Sequence, residues 1–113
     1  MKKLTFKLIP LIALTILSSC GTMPIARLLH NPARFENRTV NVSGVVSTSF
    51  GVPLVGGLYQ VQDESGKIYV LSSRGSVPTK GARVKVSGLL NSGVTVAGRA
   101  YGTVIREERV HIH

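Results

Sequence analysis

The residues of this 113-residue chain that could carry out chemistry are few and scattered. Nucleophilic catalysis needs a nucleophile with a base held beside it. The available bases are His30, in a segment with helical spacing, and His111 and His113, which close the chain. Glu107 and Glu108 are adjacent, so on a strand they point to opposite faces and cannot act as a carboxylate pair. There is no glycine-rich loop opening a helix and no metal-spaced cysteine set. This inventory argues against an enzyme and implies no cofactor. One pattern stands apart: "HIH", His111 to His113, would place two imidazoles on one side of a strand, the start of a metal or haem site. A polar chain end produces the same pattern.

The single cysteine has a different setting. Lys2, Lys3 and Lys7 give a basic start, and "LIPLIALTIL", Leu8 to Leu17, follows without a charge. That is the pattern of a signal peptide, and the apolar run is well short of the ~20 residues a membrane-spanning helix needs. "LSSC", Leu17 to Cys20, resembles the bacterial lipobox: an aliphatic residue, two small ones, then the cysteine. The resemblance implies that Cys20 receives diacylglycerol and further acyl chains and becomes the mature N-terminus, moored to a lipid bilayer. More than one chain is needed for lasting attachment. As the only cysteine, it has no intramolecular disulfide partner. Gly21 stands where an Asp would favour inner-membrane retention, so the resemblance implies an outer-membrane lipoprotein facing the periplasm. The expected organisation is a signal peptide over 1–19, a lipidated tether over 20–24 and one small domain over 25–113.

Without the three leader lysines, eleven basic residues stand against five acidic ones, a net charge of about +6. They form no run of three. Dispersed positive charge suits anionic partners in general, or simply solubility.

The elements follow from periodicity. Ile25, Leu28 and Leu29 share helical spacing and predict a helix over 24–30, with Thr22 as a cap, Pro24 near the first turn and Asn31-Pro32 as the stop. Phe35 is expected to pack as a plug. β-branched alternation then predicts strands at Val40 to Val46, Leu58 to Gln62, Lys67 to Ser72, Ala82 to Leu90 and Thr103 to Ile112. "DESG", Asp63 to Gly66, is a hairpin turn in which Asp63 bonds the backbone ahead and Gly66 takes positive φ. Asn91-Ser92-Gly93 is a second turn signal, "VTVAGRAYGTVI" fits either an excursion or paired strands, and alternation fails at Glu107-Glu108, which predicts a bulge.

"VNVSGVV", residues 40 to 46, returns as "VKVSGLL", residues 84 to 90. Glycine inside a strand marks a bend or a close backbone approach, so Gly44 and Gly88 predict matched bends in two neighbouring strands. Together with "GLYQVQDESGKIYV" and "SVPTKGARVKVSGLL", this stretch resembles small bacterial OB-fold domains of the tRNA-anticodon-binding-like kind, over about residues 31 to 90. The resemblance implies a mainly-β, five-stranded Greek-key barrel with strands one and four adjacent. The helix usual between strands three and four is reduced to the loop Ser73 to Gly81.

An OB barrel of this kind binds through the strand-one-to-two loop and the strand-two-to-three face. Phe50 and Leu54 lie in the charge-free loop "STSFGVPLVGGLY", which either covers the barrel end or offers an apolar patch. Tyr59 has the parity of Val61 and fills the barrel. Tyr69 has the opposite parity to Ile68 and Val70 and is expected to be exposed beside Lys67 and Arg74. The expected function is a non-catalytic binding module of the cell envelope, for a protein or envelope component. Two alternatives remain: an oligonucleotide or anionic-ligand binder centred on Tyr69, Lys67 and Arg74, and a metal or haem carrier through His111 and His113. For the carrier, a haem-binding periplasmic OB chaperone offers a similar terminal histidine.

Overall fold

Alternating valines give each strand an apolar side, and one closed sheet buries all of those sides together. The computed structural model describes residues 21–52, 56–72 and 77–113; Cys20, Leu54 and Arg74 lie outside them. Helices α1 (Ile25–His30) and α2 (Pro32–Phe35) precede five strands: β1 (Thr39–Val52), β2 (Gly56–Gln62), β3 (Lys67–Ser72), β4 (Arg83–Val96) and β5 (Arg99–Ile112). The strands pair in a closed barrel, β1-β2-β3-β5-β4, with β4 returning to β1. Only β3 with β5 is parallel. This is the expected mainly-β, OB-like barrel. No helix among the described residues is long and apolar enough to cross a membrane.

The repeat is explained by register. Val40 faces Gly88, Val42 faces Val86 and Gly44 faces Val84, so the two copies lie antiparallel about a local two-fold axis. The four valines are buried in the barrel core. A Cβ on Gly44 would sit 2.2 Å from the Gln62 carbonyl oxygen, and one on Gly88 would sit 2.1 Å from that of Arg106. Each glycine therefore lets a third strand cross against the pair: β2 at one end, β5 at the other.

Helix α1 seals one mouth. Ile25 and Leu28 are fully buried and join the valines, Tyr59, Ile68, Leu90 and Ile105 in a single cluster, with Phe35 packed against it as expected. Thr22 does not cap the helix; Pro24 occupies that position without a side-chain bond. The cap comes from the β2–β3 turn instead. Ile25 N–H donates to Asp63 Oδ2 at 3.0 Å and Ala26 N–H to Ser65 Oγ at 2.9 Å. The other Asp63 oxygen accepts from the backbone of Ser65 and Gly66, as the sequence predicts. Partial burial raises the Asp63 pKa, but the bonds from the Ser65 side chain and from the Ile25, Ser65 and Gly66 amides outweigh this and hold it below the ordinary carboxylate value. Gly66 does not take the expected positive φ. The Asp63 side chain closes the turn, and Gly66 instead lies close beneath Leu29 and Ile25.

Several boundaries move. Asn31 ends α1, but Pro32 opens α2, since proline suits a first helical turn. β1 continues through Phe50 to Val52, so Phe50 is a strand residue. Asn91-Ser92-Gly93 is an irregularity within β4, where Glu36 accepts from the Ser92 amide and hydroxyl, bonds that lower its pKa. "VTVAGRAYGTVI" is paired strand: β4 and β5 run on to Val96 and Arg99, turning through Ala97 and Gly98 at φ 52 and 81. The predicted bulge is present, with Ser87 opposite Arg109 and Gly88 opposite Glu107, leaving Glu108 as the extra residue.

Two predictions follow from these contacts. Gly44→Ala and Gly88→Ala each force a methyl group into a carbonyl and should cost about 2 kcal/mol or more in urea denaturation. Gly51→Ala, whose nearest neighbour is 4.0 Å away, should cost far less. Asp63→Ala should cost about 1 kcal/mol at neutral pH, as loss of a cap does. A carboxylate with a lowered native pKa contributes stability above its unfolded value of ~3.9 and loses it as pH falls through the native one. Urea midpoints of wild type and Asp63→Ala should therefore converge below about pH 4.

Candidate binding face

The barrel interior is occupied by its own side chains, one of them charged. Tyr59 and Ser72 point inward with Val61, Ile68 and Val70, and both are fully buried. The β5 bulge turns Glu107 to the same side. Its carboxylate accepts from the Tyr59 hydroxyl at 2.5 Å and the Ser72 hydroxyl at 3.1 Å. Among the described residues no buried side-chain nitrogen or oxygen lacks a partner. A carboxylate held this way is a fastening of β2, β3 and β5. The sequence carried a signal for it: Ser72 and Glu107 are polar residues at inward-facing positions of their strands.

The side chains open to a partner therefore lie outside the barrel. Register sets two rows across the outer side of β1, β2, β3 and β5. Thr48, Gln60, Tyr69 and Val104 are successive partners, and so are Phe50, Leu58, Leu71 and Arg106. Lys67 stands opposite Gln62 at one end of this side. Phe50, Tyr69 and Lys67, the sequence candidates among the described residues, thus share one face. Phe50 is 37% exposed.

Tyr69 is less free than its parity predicts. Leu58, Val94, Val96 and Val104 form a second buried cluster, with Tyr69, Leu71 and Tyr101 packed against it. The long β4–β5 hairpin thus covers part of the outer face. Tyr69 is half-buried, edge-on to Tyr101 at 4.9 Å between ring centres, and Arg99 lies over the Tyr101 ring at 5.9 Å. Tyr101 and Arg99 were absent from the sequence candidates because nothing local to them shows that the hairpin folds back.

His111 and His113 do share a side, with ring centres 5.0 Å apart. Their strand neighbours are cationic: Lys85 is opposite His111, and the His113 amide donates to the Arg83 carbonyl. No group of three or more His, Cys, Asp or Glu that could hold a metal exists among the described residues. An open trough of about 1050 Å³ lies at the α1 end, lined by residues that include Met23, Gln62, Glu64, Arg83 and His113.

No family model matches this chain, and no curated protein matches it. Solved structures do. It is similar to asparaginyl-tRNA synthetase from Pyrococcus horikoshii, with 17% identity and a TM-score of 0.56 over 70% of this chain and 20% of that one. A protein assigned as an aspartyl-tRNA synthetase from Leishmania major Friedlin gives 15% identity and a TM-score of 0.58 over 77% and 19%. The chain spans about a fifth of the length of these enzymes. OBody AM1L10, bound to hen egg-white lysozyme, gives 17% identity and a TM-score of 0.52 over 71% and 83%. At these identities the likeness establishes the OB-type fold alone.

Removing the internal acceptor should be costlier than removing one donor. Glu107→Ala removes an acceptor shared by the Tyr59 and Ser72 hydroxyls and should lower Tm by about 8 °C or more, whereas Tyr59→Phe should lower it by roughly half that. A calorimetric scan of both variants measures the difference.

Proposed function

We propose that this chain is a non-catalytic envelope lipoprotein, moored through acylated Cys20, that binds a protein partner through the outer face of β1, β2 and β3. The observation carrying this reading is the gathering of Phe50, Leu71, Tyr69 and Lys67 on one face of a barrel whose interior is filled. Exposed aromatic and cationic groups around a buried apolar patch are what protein interfaces use as anchors. OBody AM1L10, similar in fold and comparable in extent, has a protein as its bound partner. The leader and "LSSC" support the mooring and an outer-membrane, periplasm-facing site.

Oligonucleotide binding has the tRNA synthetase likenesses in its favour. Base stacking needs free ring faces, however, and Tyr69 and Tyr101 are packed edge to face against each other. A metal carrier would set a metal cation beside Arg83 and Lys85.

Two measurements test the proposal. Metabolic labelling with palmitate should mark the wild-type protein and leave Cys20→Ser unmarked; an unlabelled wild type removes the mooring. Capture from envelope membranes should recover a defined protein whose affinity falls roughly tenfold in Phe50→Ser or Lys67→Glu, the loss expected of an interface anchor. Leu54→Ser, in the adjoining loop, should weaken the same capture. Unchanged capture in all three variants removes this face.

A further inference from the structure

The basic residues that look dispersed along the chain are gathered by the barrel. On the side of β1, β4 and β5 opposite the core, Ser43, Lys85 and His111 form one cross-strand row and Asn41, Ser87 and Arg109 the next. Arg83 and His113 close the sheet end through their backbone bond. Arg83, Lys85, Arg109, His111 and His113 are all exposed. Lys85 faces His111 and Ser87 faces Arg109, so these side chains stand side by side on the solvent side of β4 and β5.

The carboxylates are mostly elsewhere. Asp63 caps α1, Glu36 is bonded at Ser92 and Glu107 is inside the barrel. Glu108 at the bulge and Glu64, which lines the same trough as Arg83, border this face. The centre of the face is positive.

The chain also enters the domain here. A Cβ on Gly21 would lie 3.6 Å from the Lys85 ammonium nitrogen. The Met23 amide donates to the Asn41 carbonyl at 2.8 Å, laying residues 21–24 along β1. Cys20 is the residue before Gly21 in the sequence.

We infer that the outer face of β1, β4 and β5, centred on Lys85 and Arg109 with Arg83, His111 and His113, docks on the anionic phosphate headgroups of a bilayer. The orientation this gives the domain rests on the mooring proposed above; the attraction to headgroups does not. Each cation near an anionic membrane surface contributes about a fivefold gain in affinity. One bilayer attachment then has two parts, a covalent lipid and a charged face, and the Phe50–Tyr69 face is left for a partner.

The test uses the unacylated segment Gly21 to His113, which contains the whole closed barrel and both apolar clusters, so that vesicle binding reports the face without the anchor. Co-sedimentation at low salt with vesicles of phosphatidylglycerol in phosphatidylcholine should show binding that is lost in pure phosphatidylcholine and suppressed by added salt. Lys85→Gln and Arg109→Gln should each weaken it about fivefold, and the double variant about 25-fold. Arg34→Gln on α2 removes the same charge and should change it little. Circular dichroism of each variant confirms that the barrel is retained. Equal losses in Arg34→Gln and Lys85→Gln would show a net-charge effect and overturn the assignment of this face. No binding to anionic vesicles, or a single-stranded oligonucleotide displacing them through Lys85 and Arg109, would overturn it as well. Palmitate labelling of Cys20 is unaffected by any of these outcomes, so failure of the face and failure of the mooring are separable.

Discussion

The close approach of backbones at Gly44 and Gly88 is the constraint on which the molecule depends. A barrel this narrow must bend its strands hard enough for each to touch two neighbours, and β1 does so by leaving β4 and joining β2 at Val45. Any side chain at Gly44 would occupy the position of the Gln62 carbonyl. At the other end of the paired motif Gly88 does the same for β5. With both crossings open, the ring of five strands closes.

Closure has a functional consequence. Valines, Tyr59 and the two helical anchors Ile25 and Leu28 fill the interior, and the polar groups that do enter are bonded to one another. Polar and aromatic side chains not used in the core are thereby left on the outside, where the register of an antiparallel sheet sorts residues into rows. The β4–β5 hairpin then divides that outside, burying Leu58 and Val104 beneath its apolar side while Phe50 stays exposed.

Charge is sorted by the same rule. Arg83 and Lys85 have one parity in β4, and Arg109 and His111 have one parity in β5 with His113 just beyond it, all away from the core. The five acidic residues meanwhile are drawn largely into caps, a bulge and the barrel interior. Cations spaced apart in the sequence thus share one side of the domain, next to the point where the chain begins its described course.

The amino-acid order was sufficient for much of this. Alternation placed all five strands, the repeat placed β1 beside β4, Asp63 announced its turn and the broken alternation at Glu107 announced the bulge, because each depends on neighbours within a few residues. It misplaced Thr22 as a cap, Gly66 at positive φ and Asn91-Ser92-Gly93 as a turn. In the first case Asp63 and Ser65 reach α1 from the β2–β3 turn, in the second Asp63 closes its own turn, and in the third Glu36 pins the irregularity from far along the chain. Which cations share a face, that Tyr101 meets Tyr69, and that Glu107 is bonded by Tyr59 were decided only by closure of the ring. These pairings join strands far apart in sequence, and a local pattern carries the parity of a side chain but not the identity of what it will face.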